Sequence, residues 1–255
     1  MVGHCIEAAG LPASVRAFTT LRSGAGASAA PFDTFNLGNF RDALGDDPAV
    51  VARNRAELVE RFDLPSWPHW LWQVHGTRVV ALDAAGGRDG TEPQVDAATT
   101  ATPGVVLAIL TADCLPVVFA AKDGSTIAAA HAGWPGLSQG MLEAALAAMR
   151  TPPGDVVAWI GPCAGPSRYE VGRNVFDAFV GPDAGAAGAF VPTRQGHWLA
   201  DLPALARRRL AVAGMHAADI HGGDLCTMSE PDRFFSHRRD GRSGRIATLA
   251  WIQAG

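Results

Sequence analysis

The sequence has no C-x-x-C pair: its four cysteines, Cys5, Cys114, Cys163 and Cys226, stand far apart. That spacing argues against a zinc ribbon and against a disulfide scaffold. No Lys/Arg-dense run makes a basic field, and 21 basic against 25 acidic residues leave a net charge of −4. Nucleic acid is therefore not an expected partner. The N-terminal MVGHCIEAAGLPASVRAFTT lacks the basic-then-apolar layout of a secretory signal. No apolar stretch reaches the ~18 residues that a membrane helix needs, because Asp113 and Cys114 interrupt the best candidate. The expectation is a cytoplasmic protein with no membrane partner. None of the eight histidines stands two residues from another, so the His-x-His pairs expected of a multicopper oxidase are missing. The H-x-E of the cytidine-type zinc deaminases is missing too: His131 is followed by Ala132-Gly133, and Pro162-Cys163 lacks its second cysteine.

What is there is an ordinary globular composition, 255 residues with 48% apolar and 18% charged side chains, and no repeat or linker divides it. It reads as a single domain over 1–255. The most apolar run, 105–136, nevertheless carries Asp113, Cys114 and His131. Asp123-Gly124 is a two-residue hairpin signal between apolar strands Pro116–Ala121 and Thr126–His131. With those two residues as the loop, Lys122 faces Ser125 and Pro116 faces His131. Alternation then puts Cys114, Pro116 and His131 on one face, with Cys114 diagonal to His131 at roughly 7 Å between backbones. A slip of one residue would turn His131 away.

A thiolate and an imidazole at that separation fit two chemistries. One is a zinc site, which at a catalytic centre takes three protein ligands and leaves a position for water. The missing ligand is sought at a strand break, and His75-Gly76 in WPHWLWQVHGTRVV offers either that ligand or a core histidine. Gln73, two residues earlier, can orient it. The other chemistry is a cysteine hydrolase in which His131 lowers the Cys114 thiol pKa and acts as base. Asp113 has apolar sequence neighbours and is a candidate acid/base, but it reaches the site only if the chain turns at 112–115.

Around this centre, Val15–Thr20 reads as a first strand and Leu21–Ala30 as a small-residue loop, a lid or a turn. Asn36 in PFDTFNLG caps a turn or touches a ligand. Asp47-Pro48 opens a helix to about residue 62, on which Arg55 is favoured as a contact. Ala81–Thr102 reads as loop, and Gly133-Trp134-Pro135-Gly136 as a loop before a helix capped by Ser138 and running to about Arg150. Val156–Ile160 is a buried strand, and Gly161–Gly165 a turn whose amides can face an anion. A helix follows at Asn174–Val180, and Asp201 caps another whose Arg207-Arg208-Arg209 cluster is solvated. Arg238 and Arg239, beside Phe234 and Phe235, are anion candidates or structural salt bridges.

The blocks QVHGTRV (73–79), TADCLPVVF (111–119), HAGWPGL (131–137), GPCAGPSRYEVG (161–172) and FFSHRRDGRSGR (234–245) together resemble the bacterial laccase-domain family, also called the polyphenol oxidase or peptidoglycan editing factor family. The resemblance runs from about Phe18 to Trp251. It implies a mixed α/β (α+β) fold, β-sheets flanked by helices, like that of toxin-type cysteine deamidases. It implies metal ligation by His75, Cys114 and His131, with zinc the expected ion and copper the less expected one. The implied activity is phosphorolysis of purine nucleosides (adenosine, inosine, methylthioadenosine) with phosphate, together with adenosine deamination. Asp113, Cys114 and His131 are then the expected catalytic residues and Asn36, Gln73, Arg238 and Arg239 the substrate-binding ones. The chain departs from the family pattern in three places: Leu21 follows F-T-T where the family has Arg, Arg168 replaces a cysteine, and His237 replaces a tyrosine. The rival expectations are a laccase-type copper oxidase, an amide hydrolase on a cell-wall precursor using Cys114 and His131, and a non-catalytic zinc protein.

Overall fold

The computed structural model describes residues 5–41, 43–88 and 90–254; the first four residues of the N-terminal stretch discussed above lie outside them. The chain opens with β1 (Cys5–Glu7) and β2 (Val15–Thr20), then α1 (Pro48–Arg61), β3 (Val79–Ala81), β4 (Ala97–Thr100) and β5 (Leu107–Thr111). The hairpin β6 (Leu115–Ala121) and β7 (Ile127–Ala132) follows, then α2 (Trp134–Gln139), α3 (Met141–Met149) and β8 (Val156–Ile160). After these come β9 (Glu170–Gly172), α4 (Arg173–Val180), β10 (Phe190–Arg194), β11 (His197–Ala200) and α5 (Leu202–Val212). The last elements are β12 (Ile220–Gly222), α6 (His237–Asp240) and β13 (Ile246–Ile252).

Three sheets result: a six-stranded sheet in the order β12-β8-β6-β7-β4-β3, a four-stranded one in the order β1-β2-β13-β5, and a small β10-β11-β9 sheet. The mixed α/β expectation is met. Strand alternation dictates how the large sheets stack. In β6 and β7, Val117, Phe119, Ala128 and Ala130 face Leu142, Leu146, Leu205 and Leu210 of α3 and α5. Val118, Ala120, Ile127 and Ala129 face the other way, against Leu107, Ile109 and Ala250 of the four-stranded sheet. That sheet packs its far side, through Phe18 and Leu249, on Leu58 of α1 and Phe62 just after it. The layers run helix, sheet, sheet, helices, and β6 and β7 are apolar throughout because both their faces are covered.

The hairpin register is the one that Asp123-Gly124 implies, with Pro116 opposite His131. Gly124 takes φ +75° in the turn, and its amide donates to the Ala121 carbonyl at 2.8 Å. Cys114, Pro116 and His131 accordingly share the face that looks toward the four-stranded sheet.

Three local readings are corrected. Trp134–Pro135–Gly136 is helical, not loop: α2 starts there with Gly133 as its cap, and Pro135 sits in the first turn, where a missing N–H costs nothing. Ser138 lies inside α2 and donates to the Pro135 carbonyl, and Gly140 at φ +102° separates α2 from α3. The stretch 81–102 contains β4, whose alanines have little strand preference and are held in strand by antiparallel pairing with β7. Arg207, Arg208 and Arg209 are tied down, to the Ile220 and Gly222 carbonyls, Asp183 and Glu143 respectively. The 21–30 loop is likewise held, its Gly26 and Ala27 amides donating to Glu57 and Asn54 of α1. Among the described residues no helix is long and apolar enough to cross a membrane.

Candidate metal centre

Cys114 lies where the chain crosses from β5 in one sheet to β6 in the other. The crossing is made by Ala112, Asp113 and Cys114, with Asp113 at φ +90°. His131, 2% exposed on β7, is its diagonal neighbour, and His75 arrives from the loop before β3 with φ +61°. One side-chain donor from each of these three residues lies within 4.8 Å of the other two. Cys114 Sγ is 3.7 Å from His75 Nε2. A tetrahedral ion with Zn–S of about 2.3 Å and Zn–N of about 2.0 Å needs an S···N edge of roughly 3.6 Å, so the donor set fits such an ion. The two imidazole rings meet edge to face at 4.8 Å.

Asp96, read from sequence only as part of a turn, organises both histidines. It is fully buried, and its Oδ1 accepts the Nδ1–H of His131 at 2.9 Å. It also accepts the amides of His75 at 2.8 Å and Gly76 at 2.7 Å. The carboxylate therefore fixes the His131 tautomer, aims its Nε2 at Cys114, and holds the His75 backbone in its left-handed turn. Burial opposes the charge on Asp96, but the His131 ring and the Gly76 and His75 amides outweigh it and hold the carboxyl below its ordinary value. Its position immediately before β4 was the available signal, since β4 pairs with the strand that carries His131.

Electrostatics bind the cysteine to the histidine. Burial pushes the Cys114 thiol up, yet the His131 and His75 rings more than offset it and bring it to about 6. Burial pushes His131 down, and the Cys114 thiolate together with Asp96 reverses this and raises it to about 9. The metal-free pair is thus a thiolate and an imidazolium, and a metal that binds His131 Nε2 must displace that proton.

Gly133 is where these parts come closest. A Cβ there would fall 2.4 Å from His75 Cδ2 and 3.2 Å from Cys114 Sγ.

The cluster forms one wall of a cavity of about 480 Å³. Phe40, Arg41, Arg55, Trp72, Gln73, Glu92, His237 and Arg245 also line it. Glu92 is gripped by both Arg41 at 2.6 Å and Arg55 at 2.8 Å, and the Arg55 guanidinium lies 4.1 Å from the centroid of Trp70. Arg41 and Glu92 carried no sequence motif of their own, and His237 was noted only as a departure within the block 234–245; distant parts of the chain bring the three together.

The other residues singled out in the sequence lie as follows. Gln73 faces the cavity, but its amide pairs both ways with the Leu110 backbone, at 2.7 and 2.8 Å, rather than with the His75 ring. Asn36 is fully buried, donates to Asp46 and accepts the Gly38 and Arg245 amides. The Asp113 carboxylate accepts from the Thr227 hydroxyl at 2.6 Å, the Ser236 hydroxyl at 3.0 Å and the Arg238 amide at 2.7 Å. Arg238 donates to the Glu170 carbonyl and covers Tyr169, while Arg239 donates to the Thr227 and Phe234 carbonyls. Neither Arg238 nor Arg239 lines the cavity.

A His/Cys/His group that could hold a metal ion, at the rim of two stacked sheets and facing a cleft of this size, has the three-donor pattern of catalytic rather than structural metal sites. The chain belongs to the family described as multi-copper polyphenol oxidoreductase laccase, whose model matches residues 16–253. It is 58% identical over 243 residues to a purine nucleoside phosphorylase of Xylella fastidiosa strain Temecula1, covering 94% of each chain. It is 44% identical to the purine nucleoside phosphorylase YfiH of Escherichia coli K12, covering 94% of this chain and 95% of that one. The crystal structure of Neisseria meningitidis protein NMB0706 superposes with a TM-score of 0.90 at 41% identity, covering 99% of this chain and all of that one. With curated relatives at this identity named as phosphorylases, the chain is an enzyme.

Proposed function

We propose that this enzyme is a zinc-dependent purine nucleoside phosphorylase that joins phosphate to C1′ of adenosine, inosine or methylthioadenosine and releases the base. The observation that carries the reading is the shared cavity: His75, Cys114 and His131 on one wall and the cationic side chains Arg41, Arg55 and Arg245 on another. The names of the relatives supply the substrate class. His75, Cys114 and His131 would hold the metal, and the thiolate-imidazole set suits zinc better than magnesium or calcium, with copper able to compete. When bound, zinc supplies a Lewis acid and lowers the pKa of a bound water toward about 7.

The chain's own residues do the rest. Asp96 keeps His131 in one tautomer, and Gln73 pins the loop bearing His75 to β5. Phosphate sits against Arg41, which lines the cavity, rather than against Arg238 and Arg239, which do not. Phe40 and Trp72 offer apolar faces to the purine. Adenosine deamination is the companion activity assigned to the same cavity. Substrates of this kind and four free cysteines fit a cytoplasmic location.

A second reading is favoured by one observation, the Cys114 thiolate beside the His131 imidazolium, which is the resting pair of a thiol amide hydrolase. A cell-wall precursor would be its substrate, and the metal-free protein its active form. The multicopper reading has less support, because the described residues contain one three-donor group.

The test is metal analysis of the purified protein, then chromatography of adenosine incubated with and without phosphate, alongside Cys114→Ala. Adenine formed only with phosphate supports phosphorolysis, and inosine supports deamination. A zinc-loaded protein inert toward nucleosides would sink the reading.

A further inference from the structure

We propose that His237 is a catalytic residue, the proton donor to the purine as its bond to the pentose breaks. The inference rests on the phosphorylase reading above. His237 is the first residue of α6 and lines the same cavity as His75, Cys114 and His131. Its side chain is exposed, and its ring makes no hydrogen bond to any described residue.

Its backbone is nevertheless held on both sides. The Asp113 carboxylate accepts the Ser236 hydroxyl at 3.0 Å and the Arg238 amide at 2.7 Å, gripping the chain on both sides of His237. A third bond, from Thr227, saturates that carboxylate further. Asp113 adjoins Cys114, so a single residue ties the position of His237 to that of the metal-binding thiol. Asp113 is a positioning residue in this arrangement.

The chemistry of the cavity leaves the role to His237. A purine leaves as a poor anion unless a ring nitrogen, N7, is protonated. The guanidinium groups of Arg41, Arg55 and Arg245 do not give up a proton near neutrality. Both Glu92 carboxylate oxygens are engaged by arginines, one by Arg41 and one by Arg55, and His131 has its Nδ1–H on Asp96. Gln73 has no acidic proton. Of the cavity imidazoles, His75 faces the Cys114 thiol and His131 is bound to Asp96, which leaves the His237 ring without a hydrogen-bond partner among the described residues, and imidazole is the commonest side chain in general acid–base catalysis.

The step balances without any further reactant. An oxygen of hydrogen phosphate forms the bond to C1′, and the C1′–N9 bond breaks with its electron pair moving into the purine. The His237 proton passes to N7. The neutral imidazole then takes the proton that hydrogen phosphate sheds on becoming the ester dianion.

The experiment compares wild type, His237→Gln and His237→Tyr on inosine and on 7-methylinosine, each with phosphate. Methylation at N7 gives that base a positive charge, so it leaves without being protonated. Because the side chain is exposed and unbonded, His237→Gln is expected to keep its bound metal and melting temperature. It should lose about 10²-fold in kcat on inosine while cleaving 7-methylinosine within threefold of wild type, and His237→Tyr should recover part of the inosine rate through its hydroxyl. Equal losses on both substrates, no loss on either, or wild-type failure on 7-methylinosine alone would overturn the proposal. Wild-type protein inert toward inosine plus phosphate would instead overturn the phosphorylase reading on which it stands.

Discussion

The Asp96 carboxylate and the His131 imidazole, 2.9 Å apart and both buried, hold together the candidate metal centre. The same carboxylate takes the backbone amide of His75, so one residue orients two of the three candidate ligands from behind. Asp96→Asn keeps the shape, but its amide group loses the negative charge and half of the acceptor capacity. Metal affinity is expected to fall about 10- to 100-fold. Competition with a chromophoric chelator measures it, and an unchanged affinity would refute the orienting role.

Gly133→Ala tests how tightly the ligands are packed. The added methyl would need the space of His75 Cδ2, 2.4 Å away, and would crowd Cys114 Sγ. The φ of Gly133 is −60°, so the conflict is steric rather than a matter of backbone strain. Overpacking of this kind costs about 1–3 kcal/mol, which lowers the melting temperature by a few degrees. His75 is the movable neighbour, being exposed on a loop, so bound metal and activity should be lost in a protein that still folds. A variant with full metal content would show that the site is looser than these distances imply.

How far this site could be read from the chain divides along one line. Cys114 and His131 were legible because the Asp123-Gly124 turn sets a register and alternation sets a face; both are local rules. His75 could be named only as an option, since nothing local joins its loop to the hairpin. Asp96 was missed because its partners, His131 and the amides of 75 and 76, are fixed by pairing of β4 with β7, a non-local event. A local ambiguity hid α2, where Gly and Pro look like punctuation but serve as cap and first turn. Non-locality also hid the cavity role of Arg41, Glu92 and His237, which come from separate parts of the chain and line the same cavity.

The electrostatic coupling gives a pH signature in protein stripped of metal. Cys114 is held near 6 by the His131 and His75 rings against the opposing effect of burial. Above that value it is a thiolate, and as the pH falls through it the thiolate is protonated and its reactivity declines. Iodoacetamide labelling, resolved by peptide mass spectrometry, should therefore rise through pH 6 at Cys114. Burial, helped by Glu7, raises Cys5 to about 11, and burial also puts Cys163 well above its ordinary value, so neither should label at neutral pH. Added zinc should suppress the Cys114 reaction. Labelling that begins only near pH 8–9, the ordinary thiol range, would contradict the thiolate–imidazolium pair.

Asp113→Asn separates positioning from proton transfer at the residue beside Cys114. The carboxylate receives three hydrogen bonds, from the Thr227 and Ser236 hydroxyls and the Arg238 amide. Asparagine tolerates the positive φ of this position but offers one acceptor oxygen, turning an NH₂ group toward donors. Hydrogen bonds to a charged group are worth about 1.5–3 kcal/mol each, so the variant should lose about 3 kcal/mol or more. Thermal unfolding measures the loss. Unchanged stability with abolished turnover would instead make Asp113 an acid/base group.

Arg41→Ala addresses the anion end of the cavity. Arg41 is a suitable probe because its side chain is 41% exposed, so removing it leaves no buried hole. Its partner Glu92 stays compensated by Arg55 at 2.8 Å. A guanidinium that contacts phosphate contributes a charge-assisted bond of about 1.5–3 kcal/mol, equivalent to roughly a 10- to 150-fold change in binding. The KM for phosphate should rise within that range while the KM for inosine changes little. Because the contact is partly exposed, the wild-type KM for phosphate should itself rise with added potassium chloride, and more steeply than in the variant. Phosphate saturation curves at two salt concentrations decide it: equal KM values for the two proteins would move the phosphate away from Arg41.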